Sequence, residues 1–180
     1  MSRLDSFIRR MMAQRDLLNQ AKSQIAEVDG VVFELGLGNG RTFDHLRERF
    51  AERDIYVFEY KIAAHESCIP DDTQLYFGDI RETLPRAVLR FASKVALIHN
   101  DLGDGREVTH REIGGFLNQH LPKAMAPGGL VLSNMPLELT ECEQLPLPRG
   151  MQPDRYFIYR RTQEGMVSPN GGKSPKASEC

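Results

Sequence analysis

An α/β domain on a parallel central sheet is the fold that the sequence predicts. Apolar, β-rich runs alternate with amphipathic helical stretches between residues 31 and 132. The first run passes straight into a glycine-rich turn and a helix start, and the next three lead into the acids Glu59, Asp79 and Asp101. Such alternation implies strands joined by crossover helices, with a ligand bound outside the carboxyl ends of the strands. With 180 residues and 41% hydrophobic content, the chain can bury one substantial core.

Residues 1–29 read as a long amphipathic helix. Leu4, Phe7, Met11, Leu18, Ala21, Ile25 and Val28 recur at three- and four-residue steps, interrupted only at Gln14. Ser2 and Asp5 form a capping pair at its start, and Gly30 stops it. Unbroken, it spans about 40 Å at 1.5 Å per residue, roughly twice a typical strand. Part of the stripe should overhang the domain. The helix is expected to lie across its own sheet and to serve a homo-oligomer interface or close the mouth of the site.

The first strand, Val31-Val32-Phe33-Glu34-Leu35, runs into Gly36-Leu37-Gly38-Asn39-Gly40 and then a helix beginning near Thr42-Phe43-Asp44-His45-Leu46. Glycine tolerates positive φ and lets a ligand approach the main chain, while the helix start behind it offers unpaired N–H groups. A nucleotide-like ligand follows. The dinucleotide fingerprint G-x-G-x-x-G fails on register, because its third glycine would fall on Arg41 or Phe43.

Later elements keep the pattern. Residues 54–59 read as a second strand ending in Glu59, about 20 residues past the glycines, where a carboxylate can accept from both ribose hydroxyls; the plainer reading is a solvated surface acid. Residues 73–77 form a third strand leading into Gly78-Asp79-Ile80, where Asp79 also fits a helix cap with Glu82. Residues 94–98 form a fourth strand before His99-Asn100-Asp101, and residues 121–132 read as helix, Pro-Gly-Gly turn and fifth strand. Four prolines from Pro136 to Pro153 predict an irregular connection and a candidate substrate loop, before a last strand around Tyr156-Phe157-Ile158-Tyr159. Arg155, Arg160 and Arg161 beside it offer a local basic patch, the plainer reading being a solvated rim.

Glu34-x-Gly36-x-Gly38-x-Gly40, Glu59, Gly78-Asp79-Ile80, Asp101 and the Pro-Gly-Gly strand, taken in order, resemble the motifs of class I S-adenosylmethionine-dependent methyltransferases. The resemblance covers residues 31–135. It implies a Rossmann-like fold with a mostly parallel sheet, helices on both faces and an antiparallel last strand. It also implies S-adenosyl-L-methionine as cofactor and S-adenosyl-L-homocysteine as product. Cofactor contacts are implied from Glu34 near the methionine amino end, from Gly36, Leu37, Gly38, Asn39 and Gly40 in the turn, and from Glu59 at the ribose. Tyr60, Gly78, Asp79 and Ile80 are implied around the adenine, with Asn100 also in contact. A general base, where one is needed, would be Asp101 or His99, with His110 and Asp104 behind them; each also has a structural reading, as a cap or a core residue. Related enzymes that bind a divalent cation use an acid at the fourth strand and an Asp-Asn pair after the fifth. Here Ser133-Asn134 keeps only the Asn, so no metal is expected.

The remaining features narrow the function class. A net charge of -2 lacks the basic footprint of a nucleic-acid binder, and the Asn-Pro-Pro-aromatic signature of DNA amino-methylating enzymes is replaced by Asn100-Asp101-Leu102-Gly103. Cys68, Cys142 and Cys180 have no C-x-x-C spacing and fit a reducing compartment. Asp5, Arg9, Arg10, Gln14, Arg15 and Asp16 break any apolar run at the N-terminus, so neither signal peptide nor membrane span is expected and the cytoplasm is the default. Residues 30–164 are expected to form the methyltransferase domain and residues 165–180 a flexible tail. The favoured function is methyl transfer to a small-molecule acceptor; the alternatives are a cofactor-binding sensor and an aminopropyltransferase-like enzyme.

Overall fold

The computed structural model describes residues 2–103, 107–151 and 155–162. In chain order it comprises α1 (Arg3–Gln24), β1 (Val31–Leu35), α2 (Arg41–Arg49), β2 (Ile55–Glu59), a 3-10 turn (Glu66–Cys68), β3 (Leu75–Phe77) and α3 (Ile80–Arg90). Then come β4 (Val95–Asn100), α4 (Glu107–Ala124), β5 (Met125–Ser133), β6 (Cys142–Leu145) and β7 (Phe157–Arg161). The seven strands form one sheet in the order β3-β2-β1-β4-β5-β7-β6. All neighbours from β3 to β5 pair parallel, and β7 runs antiparallel to both β5 and β6. The mostly parallel sheet with its antiparallel last strand is therefore as expected. Strand order reverses between β1 and β4, and the crevice outside their carboxyl ends is where such a sheet takes a ligand.

Side-chain alternation along the strands builds two cores. On one face Phe33, Leu35, Phe58 and Ile98 pack against Leu84, Ala87 and Val88 of α3 and Leu117 and Leu121 of α4. On the other, Val32, Val57, Leu97 and Leu132 pack against Leu17, Leu18 and Ala21 of α1 and Phe43 and Leu46 of α2. Helix α1 is thus half core, half overhang. Its capping box is formed by Ser2 and Asp5, but the helix ends at Gln24, short of Gly30. Arg53 holds the turn that follows, donating to the carbonyls of Ile25 at 3.1 Å and Gly30 at 2.8 Å. At 22 residues α1 is about 33 Å long, and Leu4, Phe7, Ile8 and Met12 in its first turns are exposed.

Four local expectations change. The third strand keeps only Leu75–Phe77, because Gln74 N–H closes a turn onto the Asp71 carbonyl at 2.8 Å. Pro127-Gly128-Gly129 is not a turn before the fifth strand but lies inside it: Val95 pairs with Met125 and Leu97 with Leu130, so these residues are taken up as a bulge. The irregular connection after Pro136 contains β6, an edge strand whose Glu143 and Gln144 are exposed. Its polarity hid it, and an edge strand with charge on it is protected against further pairing. Arg160 and Arg161 are not a solvated rim: Arg160 donates to Gln24 at 3.1 Å, while Arg161 donates to the Met125 carbonyl and to Glu141. Among the described residues no helix is long and apolar enough to cross a membrane. The expected tail, residues 165–180, lies outside the described residues.

Candidate functional site

A cavity of about 880 Å³ opens at the carboxyl ends of β1 to β4. Gly36, Leu37, Gly38 and Asn39 form its floor; Glu59 stands at the end of β2 with Tyr60 and Lys61 beyond it; Gly78, Asp79, Ile80 and Arg81 beyond β3; Asp101, Leu102 and Gly103 beyond β4. Helix α1 crosses over this edge and presents Phe7, Arg10, Met11 and Gln14, one face at helical spacing. Ile113 of α4 joins them.

The glycines differ in what they do. Gly38 has φ +52, and a Cβ there would meet nothing within 4 Å, so it leaves the floor open to a ligand. Gly40 also has positive φ, but a Cβ there would stand 2.5 Å from the Cys68 Cβ. It is small because the 3-10 turn packs on it, and it does not line the cavity.

Glu59 ties the turn to the next strand. Its Oε2 accepts from the Leu37 and Gly38 N–H groups at 3.0 and 3.1 Å, and its Oε1 from the Tyr60 and Lys61 N–H groups at 2.8 and 3.1 Å. Asp79 caps α3 through the Arg81 N–H at 2.8 Å, rather than by pairing with Glu82, and still lines the cavity.

Three of the expected cofactor residues and one expected base stand apart from the cavity. Glu34 is 0% exposed; one carboxylate oxygen accepts from Thr42 Oγ1 and the other meets His99 Nδ1 at 2.7 Å. The cause is register, since Glu34 and His99 are directly paired positions of β1 and β4 on the face covered by α1 and α2. Burial opposes a charge on His99, but the Glu34 carboxylate outweighs it and raises the imidazole pKa. His99 is therefore a partner of Glu34 and stands apart from the cavity lining. Asn100 turns to the other face, donating to Ser133 Oγ at 2.9 Å. Gly40 is the fourth, for the packing reason above.

Asp101 does reach the cavity. Its Oδ2 accepts from Arg10 at 2.6 Å and its Oδ1 from Asn134 Nδ2 at 3.0 Å. Burial works against the Arg10 charge, yet Asp101 outweighs it and raises the guanidinium pKa. Tyr156, whose pKa is pushed up to about 12 by burial and then by Asp101, donates to the Arg10 carbonyl at 3.3 Å. These contacts, with Arg41 stacked 5.6 Å from the Phe7 ring centroid, fix α1 over the strand ends. Asn134 also donates to the Leu102 carbonyl, so its amide presents a donor, not a ligand oxygen, to Asp101. Among the described residues no group of three or more His, Cys, Asp or Glu side chains is placed to hold a metal ion. Asp104 and the His110 side chain lie outside the described residues.

Sequence reading missed the four residues from α1. Their only signal was Gln14, the one polar break in an apolar stripe. The structure leaves both of its amide atoms buried without a hydrogen-bond partner.

The chain is similar to known proteins along most of its length. A family model described as S-adenosyl-L-methionine methyltransferase matches residues 1–161. The crystal structure of an S-adenosyl-L-methionine methyl transferase from Silicibacter pomeroyi DSS-3 is 44% identical, covers 89% of this chain and 99% of its own, and superposes with a TM-score of 0.80. The fold is shared with S-adenosylmethionine-bound CalS10, an amino pentose methyltransferase from Micromonospora echinaspora (11% identity, 90% of this chain and 98% of that one, TM-score 0.57). It is shared also with human methyltransferase-like protein 13 in complex with S-adenosylhomocysteine (12% identity, 89% and 85%, TM-score 0.54). A comparison with curated proteins returned no match.

Proposed function

We propose, from the premise that the chain belongs to the S-adenosyl-L-methionine methyltransferase family, that it transfers a methyl group to a small-molecule acceptor bound beside Asp101 and beneath α1. The observation that carries this reading is a single cavity receiving the glycine turn, Glu59, Asp79, Asp101 and the inner face of α1. Its residues fit the cofactor. Gly38 leaves open space where a side chain would stand, Glu59 offers a carboxylate beside the turn, and Gln14 holds a buried amide in want of partners. Tyr60, Asp79 and Ile80 would hold the adenine, Glu59 the ribose, and Gly36, Leu37, Gly38 and Asn39 the middle of the molecule.

S-adenosyl-L-methionine supplies, when bound, a methyl group already activated on a sulfonium. The protein therefore has chiefly to align an acceptor and keep water out, and correct positioning alone accounts for a large share of such a barrier. Phe7, Met11, Leu102 and Ile113 provide the apolar wall that does so. Asp101 serves as a fixed acceptor-side edge, held by Arg10 and Asn134. Both its oxygens are engaged, so it orients the acceptor more readily than it removes a proton. A cavity of this volume suits a small molecule, and the cover of α1 favours one over a long polymer.

Calorimetry with S-adenosyl-L-methionine, S-adenosyl-L-homocysteine and NAD, followed by a labelled-methyl screen of low-mass and macromolecular fractions of a cell extract, tests the reading. Binding of the first two, no binding of NAD, and label in the low-mass fraction are expected. Label confined to macromolecules would overturn the acceptor class, and tight binding with no transfer to any fraction would favour a sensor. The exposed Leu4, Ile8 and Met12, one helical face at the free end of α1, support in addition a homo-oligomer through that helix.

A further inference from the structure

The strand order locates the two ends of the cofactor. Across the sheet, Asp79 follows β3, Glu59 ends β2, Gly36 follows β1 and Asp101 follows β4, with neighbouring strands about 4.8 Å apart. With adenine at Asp79 and ribose at Glu59, the arm carrying the amino acid continues past Gly36 toward Asp101. Glu34, the acid expected there, is committed to Thr42 and His99 inside the protein. Above that ground stands Gln14. It is 2% exposed, lines the cavity, and neither its Oε1 nor its Nε2 has a hydrogen-bond partner. Buried amides are almost always paired, and leaving both ends unpaired costs folding free energy. Every other inward position of the stripe from Phe7 to Ile25 that faces the core is apolar apart from this one, so packing gives no reason for a glutamine.

We infer that Gln14 is a cofactor-binding residue that grips the α-amino-carboxylate end of S-adenosyl-L-methionine, its Nε2–H donating to the carboxylate and its Oε1 accepting from the ammonium. A primary amide carries one acceptor and one donor group side by side, the complement of a zwitterion. The neighbouring Arg10–Asp101 pair is itself charge-balanced, so the surroundings suit a ligand end without net charge. The inference rests on the cofactor reading above and adds to it the contact that Glu34 does not make.

The test compares two ligands that share the nucleoside and its thioether and differ in the amino acid: S-adenosyl-L-homocysteine and 5′-methylthioadenosine. Binding of both is measured by calorimetry for the wild type and for Gln14→Met, which keeps length and volume, with Gln14→Leu as a second packing variant and melting temperature as the check on folding. Homocysteine-ligand affinity should fall at least about tenfold in both variants, the scale of a lost hydrogen bond to a charged group. Methylthioadenosine affinity should stay within about twofold, and the ligand-free variants should melt no lower than the wild type because an unpaired buried amide has been removed. Unchanged affinity for S-adenosyl-L-homocysteine in a folded variant would overturn the inference, as would an equal loss for both ligands. A wild-type protein that binds neither would instead remove the cofactor reading, and this inference with it.

Discussion

Replacing Glu59 by Gln should separate what this side chain does for the fold from what it does for the ligand. Its two carboxylate oxygens accept four backbone N–H bonds, from Leu37, Gly38, Tyr60 and Lys61. A carboxylate offers about four lone-pair sites, so the set is full. An amide of the same shape keeps one accepting oxygen and turns an NH2 toward two of those donors. Only the bond from Leu37 is partly buried and the other three are exposed. Water can replace the exposed ones, so the loss of stability should be about 1–3 kcal/mol, and the melting temperature should fall by roughly 3–10 °C for a chain of this size. Binding suffers separately. Two ribose hydroxyls on a carboxylate are worth about 1.5–3 kcal/mol each, and exchanging them for existing N–H bonds returns part of that. A net loss near 3 kcal/mol, roughly a hundredfold in Kd for S-adenosyl-L-homocysteine, is expected. Calorimetry at a temperature where the variant is fully folded measures it. A variant that melts lower but binds within threefold of the wild type would refute the ribose assignment and leave Glu59 as a strut of the turn.

Gly38→Val should fold with a loss of about 1–2 kcal/mol from its left-handed backbone while losing S-adenosyl-L-homocysteine binding, because its side chain enters the cavity; wild-type affinity would count against the turn as cofactor floor. Gly40→Ala should behave in the opposite way, losing about 2–5 kcal/mol of stability through its contact with Cys68 and keeping affinity where it remains folded, and a normal melting curve would refute the packing account. The His99 pKa is raised above its ordinary 6.5, so its pairing with Glu34 contributes stability that is complete below that pH and is lost as pH rises through the raised value. Melting temperature should accordingly decline above about pH 6.5, and His99→Gln should flatten that decline; an unaltered slope sinks the idea. Light scattering should find the full chain oligomeric and a Leu4→Ser, Ile8→Ser, Met12→Ser variant monomeric, with a monomeric wild type deciding against α1 as an interface.

Much of the fold was legible because it is written in periodicity. Val32 and Phe33, Val57 and Phe58, Leu97 and Ile98 alternate between two covered faces, which is why their runs are apolar throughout and why they read as inner strands of a parallel sheet. β6 was not legible, since two of its four residues are exposed and polar and it pairs on one side alone. The bulge at Pro127-Gly128-Gly129 reads as a turn for a related reason: proline and glycine mark a break in regular pairing without saying whether the chain reverses or continues. The reach of α1 over the cavity depends on tertiary contacts, Arg10 to Asp101 and Tyr156 to the Arg10 carbonyl, between residues far apart in the chain.

The site residues divide by one residue of register. Glu59 is the last paired residue of β2, and Asp79 and Asp101 lie just beyond β3 and β4; all three reach the cavity. Glu34 is one residue short of the end of β1, so the pleat turns its carboxylate into the face under α1 and α2, opposite His99. A sequence motif that counts residues from the glycines does not distinguish these cases, because it does not contain the position at which pairing stops. Among the described strands of this sheet, an acid reaches the cavity only from the last paired residue outward. The side chain at position 34 consequently ties the sheet to the Thr42 end of the glycine turn instead of lining the cavity. Across the cavity α1 presents Gln14, whose buried amide is without a hydrogen-bond partner.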